Sequence, residues 1–170
     1  MAERSFWILP ADPLYLPSEA QQDAVLKFFG EVSPFPNANG GYTVHRSETP
    51  QLHDAGEALE AVICPACEAR IDLMDDEGDE WWSALRDEET SEDALTTMPC
   101  CEAEVRVLDL TFDSPSYFQR FAVGALEPSF SDDDWVLSKH GDPLELNEKA
   151  LAHFEKLMGC KVRQMWRIGY

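Results

Sequence analysis

Basic side chains are scarce in this sequence: its 170 residues carry 13 Lys and Arg against 33 Asp and Glu, a formal net charge of −20. A surface with that excess of carboxylates repels phosphate backbones, so sequence-independent binding to DNA or RNA is not expected. Long apolar runs are missing as well. No stretch approaches the roughly 20 apolar residues that span a bilayer, and residues 1–10 lack a basic region followed by a long apolar one. No membrane association and a cytoplasmic location are therefore the expectations. Familiar catalytic signatures are also lacking: there is no Gly-rich phosphate loop, no Gly-x-Ser-x-Gly elbow and no His-Glu-x-x-His. The run Asp75-Asp-Glu-Gly-Asp79 offers oxygen ligands and a turn, but it has neither the spacing nor the final Glu of an EF-hand loop. His45, His53, His140 and His153 have no signature partner, so an enzyme is not expected. An unrecognised Cys or His nucleophile remains the alternative.

What is present argues for a folded chain. Apolar residues make up 44% and aromatics 11%, with five Trp and nine Phe, more than a disordered acidic segment carries. A chain of this length buries roughly 70% of its unfolded surface, enough for a single domain over 1–170 with a small appended module.

Residues 5–9 form a short apolar run closed by Pro10 and predict a buried strand. Ser18 with Gln21 makes a capping box for a helix over 19–29, with Ala24, Val25, Phe28 and Phe29 on one face and Gly30 as its stop. Turn residues over 33–41 lead to a strand over 42–46. The order recurs near the other end. A strand over 118–126 precedes a loop, Asn147 caps a helix striped by Ala150, Leu151, Phe154, Leu157 and Met158, and Gly159 ends it. A half-exposed strand over 161–170 follows, with basic residues on one face. Two β-α-β units predict an α+β fold with a ferredoxin-like split β-α-β sheet and two helices. Residues 60–110 fit neither periodicity throughout and read as an inserted module.

That module carries four of the five cysteines. Cys64-Pro-Ala-Cys67 sits between an apolar approach and an alternating departure, the shape of half a zinc ribbon, and Met98-Pro-Cys100-Cys101 before Val105, Val107 and Leu110 supplies a second half. Two tight pairs fit structural zinc in a reducing compartment better than a disulfide framework. Neighbouring side chains in extended backbone point apart, so Cys100 and Cys101 ligate together only if a turn brings both inward. His53 is the reserve ligand. Buried reduced thiols and a thioredoxin-type Cys64/Cys67 pair are the competing readings, and Cys160 reads as a small buried residue.

These residues, together with Leu108-Asp-Leu110, the strand at 118–121 and the Gly-Cys-Lys-Val-Arg-Gln-Met-Trp166 ending, resemble a group of small uncharacterised bacterial proteins with a Cys-Pro-x-Cys and Pro-Cys-Cys, zinc-ribbon-like pattern. The resemblance covers about two thirds of the chain. It implies a structural zinc site and no particular activity. Where the group commonly has Gly after its paired cysteines, this chain has Glu102.

Between the cysteine pairs, 72–93 holds eleven acidic residues and the single base Arg86. As a charge run it reads as a solvated acidic loop. Trp81 and Trp82 either anchor a short helix there or, ringed by Asp75, Asp76, Glu77, Asp79 and Glu80, mark an interface for a basic protein. Trp135 beside Asp132, Asp133 and Asp134 repeats the combination. Small size, high negative charge and a metal-stapled scaffold predict a cytoplasmic binding protein that neutralises a basic partner: an immunity protein inhibiting a bacterial toxin domain. The alternative is a zinc-ribbon adaptor or regulatory module of a larger assembly.

Overall fold

The computed structural model describes residues 3–33, 41–128, 134–137 and 145–169. Along the chain run β1 (Glu3–Pro10), α1 (Glu19–Val32) and β2 (Tyr42–His53), then β3 (Ala61–Ile63), β4 (Arg70–Asp72), α2 (Asp76–Asp87), β5 (Leu95–Thr97), β6 (Glu104–Arg106) and β7 (Thr111–Phe112). β8 (Tyr117–Leu126), α3 (Glu148–Met158) and β9 (Val162–Gly169) complete a mixed α+β protein. Its largest sheet has the order β2-β8-β1-β9, every neighbour antiparallel.

Strand alternation divides the apolar residues between the two faces of this sheet. Phe6, Ile8, Phe121, Val123 and Ala125 meet Val25, Phe28, Phe29 and Val32 of α1 and Ala150, Phe154 and Met158 of α3 in the main core. Each fully buried side chain of this size contributes roughly 1.5–3 kcal/mol. Leu9, Ala122 and Met165 form a smaller cluster with Trp7 and Tyr117 on the opposite face. The expected capping box starts α1: Gln21 N donates to Ser18 Oγ at 3.2 Å and Ser18 N to Gln21 Oε1 at 2.8 Å. The helix does not stop at Gly30. It continues to Val32, because Val32 is buried in the core and the Tyr42 hydroxyl, lying over Gly30, donates to the Ser33 carbonyl. Asn147 caps α3 by accepting from Ala150 N at 2.9 Å, and Gly159 ends it in the left-handed region, both as expected.

β2 departs most from expectation, running twelve residues rather than five. A register shift between Arg46 and Gln51 breaks its pairing with β8, and such irregularities bend a strand sharply. Beyond the bulge β2 rejoins β8 in the same direction, with Gln51 opposite Gln119 and His53 opposite Tyr117, and the ring centroids of His45 and His53, eight positions apart, lie 5.3 Å from each other. The chain then reaches β9: Ile168 N donates to Ala55 O at 3.1 Å, and Glu57 N to Ile168 O at 2.8 Å. Gly56 sits at φ +67°, where a Cβ would lie 1.9 Å from the Ile168 carbonyl oxygen. Only glycine permits that approach.

The segment between β2 and β8 builds a core of its own. A three-stranded sheet β4-β3-β7 and a hairpin β5-β6 enclose Val62, Cys64, Ile71, Leu73, Trp82, Met98, Val107 and Leu110, and Phe118 of β8 joins them. Asp113 fastens its entry to its exit: the carboxylate accepts from Glu60 N and Ala61 N at 3.3 and 3.1 Å and pairs with Arg70 at 2.9 Å. The stretch 72–93, read as an acidic loop, contains α2 instead. Asp75 caps it through Gly78 N at 2.7 Å, and Asp76, Glu77 and Asp79 occupy the first turn, where the helix dipole favours carboxylates. No helix among the described residues is long and apolar enough to cross a membrane.

Candidate metal centre

Two similar tight turns face each other in the inserted segment. In the first, between β3 and β4, Glu68 N donates to Cys64 O and Cys64 N to Ala69 O, both at 2.9 Å. In the second, between β5 and β6, Glu102 N donates to Met98 O and Met98 N to Ala103 O, again at 2.9 Å. Glu68 and Glu102 both take left-handed backbone, at φ 61° and 58°. The turns align as Cys64-Pro-Ala-Cys67-Glu-Ala69 against Met98-Pro-Cys-Cys101-Glu-Ala103. Cys67 and Cys101 are therefore equivalent. Met98, fully buried, stands where Cys64 stands in the first turn, and Cys100 occupies the position of Ala66.

The turn at 98–102 answers how neighbouring cysteines converge. All four sulfurs, of Cys64, Cys67, Cys100 and Cys101, lie within 4.8 Å of one another, close enough to hold one metal ion. The Cys64–Cys101 and Cys67–Cys100 sulfur distances are 3.8 and 3.5 Å. A tetrahedral ion with metal–sulfur bonds of about 2.3 Å requires edges of about 3.8 Å, so the donor set has the size that zinc needs. His53, the reserve ligand, stands beside His45 and Trp7 instead.

The protonation chemistry also favours a cation. Burial raises the Cys64 thiol, but the amides of Cys67 and Ala66 and the neighbouring thiols outweigh it and bring it down to about 7. Burial and the surrounding sulfurs push Cys100 up to about 12, and Cys101 is raised against the opposing pull of the Ala103 amide. Without a cation, a thiolate at Cys64 opposes ionisation of the Cys100 and Cys101 thiols beside it. A dication removes that repulsion and lets all four sulfurs ionise. Cys160, far from this cluster in sequence, is raised to about 11 by burial and by Asp12 and Glu155.

The residues expected to meet a partner divide differently. Asp75, Asp76, Glu77, Asp79 and Glu80 are all exposed. Trp82 is only 5% exposed and belongs to the core around the metal turns, with Phe112 edge-on to it, so it has no surface to offer a partner. Trp81 packs against the same core and donates its indole N–H to Thr96 Oγ1 at 3.1 Å. The tandem tryptophans anchor α2. Trp135 packs on the main core, edge-on to Phe28, with the Lys149 ammonium 4.7 Å above its ring, and the Asp134 carbonyl accepts from Asn147 Nδ2. Asp132, Asp133 and His140 lie outside the described residues.

Sequence reasoning missed a second cluster, in which Trp7, His45, His53, Arg86 and Arg167 share one cavity. No motif links these residues, which come together from β1, β2, α2 and β9 only in the folded chain. The similarity of the two cysteine turns was legible beforehand as Pro-x-Cys-Glu-Ala repeated after 34 residues, but the replacement of the leading Cys by Met98 obscures it. No family model and no curated protein matches the sequence, and no solved structure matches the fold.

Proposed function

We propose that the chain is an acidic cytoplasmic binding protein that neutralises a basic partner, an immunity protein for a bacterial toxin domain, built on a ferredoxin-like sheet with a zinc-ribbon-like insert. The strand order β2-β8-β1-β9, with α1 and α3 packed together on one face, supports the ferredoxin-like reading. The paired turns with four sulfurs within 4.8 Å of one another support zinc held by Cys64, Cys67, Cys100 and Cys101, a closed site that staples the fold and leaves no position for substrate.

The observation that carries the binding role is α2. It presents Asp76, Glu77, Asp79 and Glu80 from a helix pinned by Trp82 on one side and adjoining the Cys100 turn on the other, where Asp75, Glu77 and Cys100 line a common cavity. Met74 beside it is 80% exposed. A rigid carboxylate row next to an apolar side chain suits a cationic surface, and preorganisation reduces the entropy cost of docking. The module's separate core keeps open the second reading, an adaptor that serves a larger assembly.

The test is capture of a basic protein from the source strain, followed by kinetics with the purified pair. Reversing Asp76, Glu77, Asp79 and Glu80 to Lys is expected to slow association by about tenfold to a hundredfold at low salt, with a smaller change in dissociation. An unchanged association rate overturns the role of α2. A partner with no toxic activity points to the adaptor.

A further inference from the structure

The face of the large sheet away from α1 and α3 is not bare. It carries Trp7 of β1, His45 and His53 of β2, and Met165 and Arg167 of β9, and with Arg86 of α2 these line a cavity of about 340 Å³. Further cavities adjoin it at both ends. One of about 350 Å³ shares Trp7, His45 and Arg167, and one of about 200 Å³ shares Gln51, Leu52, Asp54 and Arg86. Volumes of this order lie at the small end of the range for ligand pockets, about 300–1,000 Å³.

Three features give the cavity a chemical preference. The Trp7 indole lies so close on the backbone at Gly124 that a Cβ there would come within 2.6 Å of its ring atoms. The half-buried ring is thereby fixed along one side and open to the cavity, and its N–H is already committed to Ser5 Oγ at 2.9 Å. Met165 supplies a soft apolar neighbour. Charge is the second feature. Arg86 and Arg167 both line the space, and among the described residues Asp54 is the one carboxylate that does so. Asp54 pairs with Arg167 at 3.1 Å and also accepts from Gly56 N. The Arg86 guanidinium makes no hydrogen bond or ion pair with the described residues, although Glu88 lines the adjoining cavity with it. In a chain of net charge −20, the lining carries a surplus of one positive charge.

The histidines are the third feature. His45 stands edge-on to Trp7 with centroids 4.9 Å apart, and His53 lies 5.9 Å from the same ring. Burial holds both below the ordinary histidine value, so at neutral pH they offer neutral donors and acceptors and do not compete with a ligand for the arginines.

We propose that this cavity is a binding site for a small planar anion, an aromatic or heteroaromatic ring bearing a carboxylate or phosphate. The ring stacks along Trp7 against Met165 and the histidine edges, and the anionic group meets Arg86 and Arg167. Stacking supplies affinity that tolerates different rings, and the guanidiniums select for the charge. The site is independent of the acidic row on α2.

The probes are AMP and anthranilate, two ring acids of different anionic group, with adenosine and inorganic phosphate as single-determinant controls. The readout is the NMR signal of each of the five indole N–H groups in the metal-loaded protein. The ring acids are expected to move the Trp7 signal saturably while Trp81, Trp82, Trp135 and Trp166 stay in place, with adenosine and phosphate about tenfold weaker or more. Arg167→Gln should weaken AMP about fivefold, and so should Arg86→Gln, which leaves packing untouched because that side chain is exposed. The proposal is overturned if neither ring acid moves Trp7 at millimolar concentration. It is equally overturned if phosphate alone binds as well as AMP, or if both Arg variants bind as the wild type does.

Discussion

Replacing His53 by Gln isolates a coupling between acid and stability that the fold predicts. Burial is the main cause that holds His53 down to about 4, with the nearby His45 and Arg167 adding to it and Asp54 opposing it. In the unfolded chain the same imidazole titrates near 6.5. The unfolded state thus binds the proton first, and the wild type loses stability as pH falls from about 6.5 to about 4, with no further loss from this group below that. The interval between those two values corresponds to about 3 kcal/mol, a large share of the ~5–15 kcal/mol available to a domain. His53→Gln cannot take up the proton. Groups away from residue 53 cancel between the two proteins, so the difference reports His53 together with its coupling to His45, Asp54 and Arg167. Urea unfolding of both proteins at intervals from pH 7 to pH 4 should show the variant gaining about 3 kcal/mol on the wild type across that range. Parallel stability curves, or a His53 ring proton that titrates near 6.5, would refute the burial argument and the packing of His53 against Trp7 and His45 from which it comes.

Metal removal should act on the module before the sheet. Native mass spectrometry should lose about 65 Da on acidification, one zinc ion, and Cys64→Ser should abolish that loss and unfold the segment around α2, as read by protease cleavage. Gly56→Ala places a Cβ 1.9 Å from the Ile168 carbonyl at positive φ. It should cost about 3 kcal/mol or more and speed amide exchange at Ile168 and Glu57. Trp82→Ala leaves a void in the module core and should destabilise by about 3–5 kcal/mol, read by denaturant unfolding. Glu102→Gly relieves left-handed strain at φ 58° and should raise the unfolding midpoint of the metal-loaded protein by about 1 kcal/mol in equivalent stability.

Helices α1 and α3 were legible because short-range chemistry sets their starts: Ser18 with Gln21 in one, Asn147 in the other. The four cysteines were legible as a cluster because the ligand types are few and their spacing is local. Gly30 misled because a glycine that follows a helical pattern reads as a stop, whereas burial of Val32 and the lid of Tyr42 extend the helix past it. The acidic stretch misled because eleven carboxylates outweigh two tryptophans in composition, while in space the buried Trp82 decides the conformation. The cavity was illegible. It depends on a bulge in β2 that no local pattern announces, and its members come from β1, β2 and the residue after it, α2 and β9.

The pairing of β1 has a consequence for the order in which the molecule can be made. Both neighbours of β1 arrive late: Phe6 waits for Ala125 and for Trp166. When the chain has been made as far as His53, a helix and two strands exist with no sheet to join. The segment from Ala61 to Phe112, by contrast, pairs almost wholly within itself, so it can close and capture its metal while the rest of the chain is still emerging. The large sheet can then form around the insert, completing its core with Phe118 of β8.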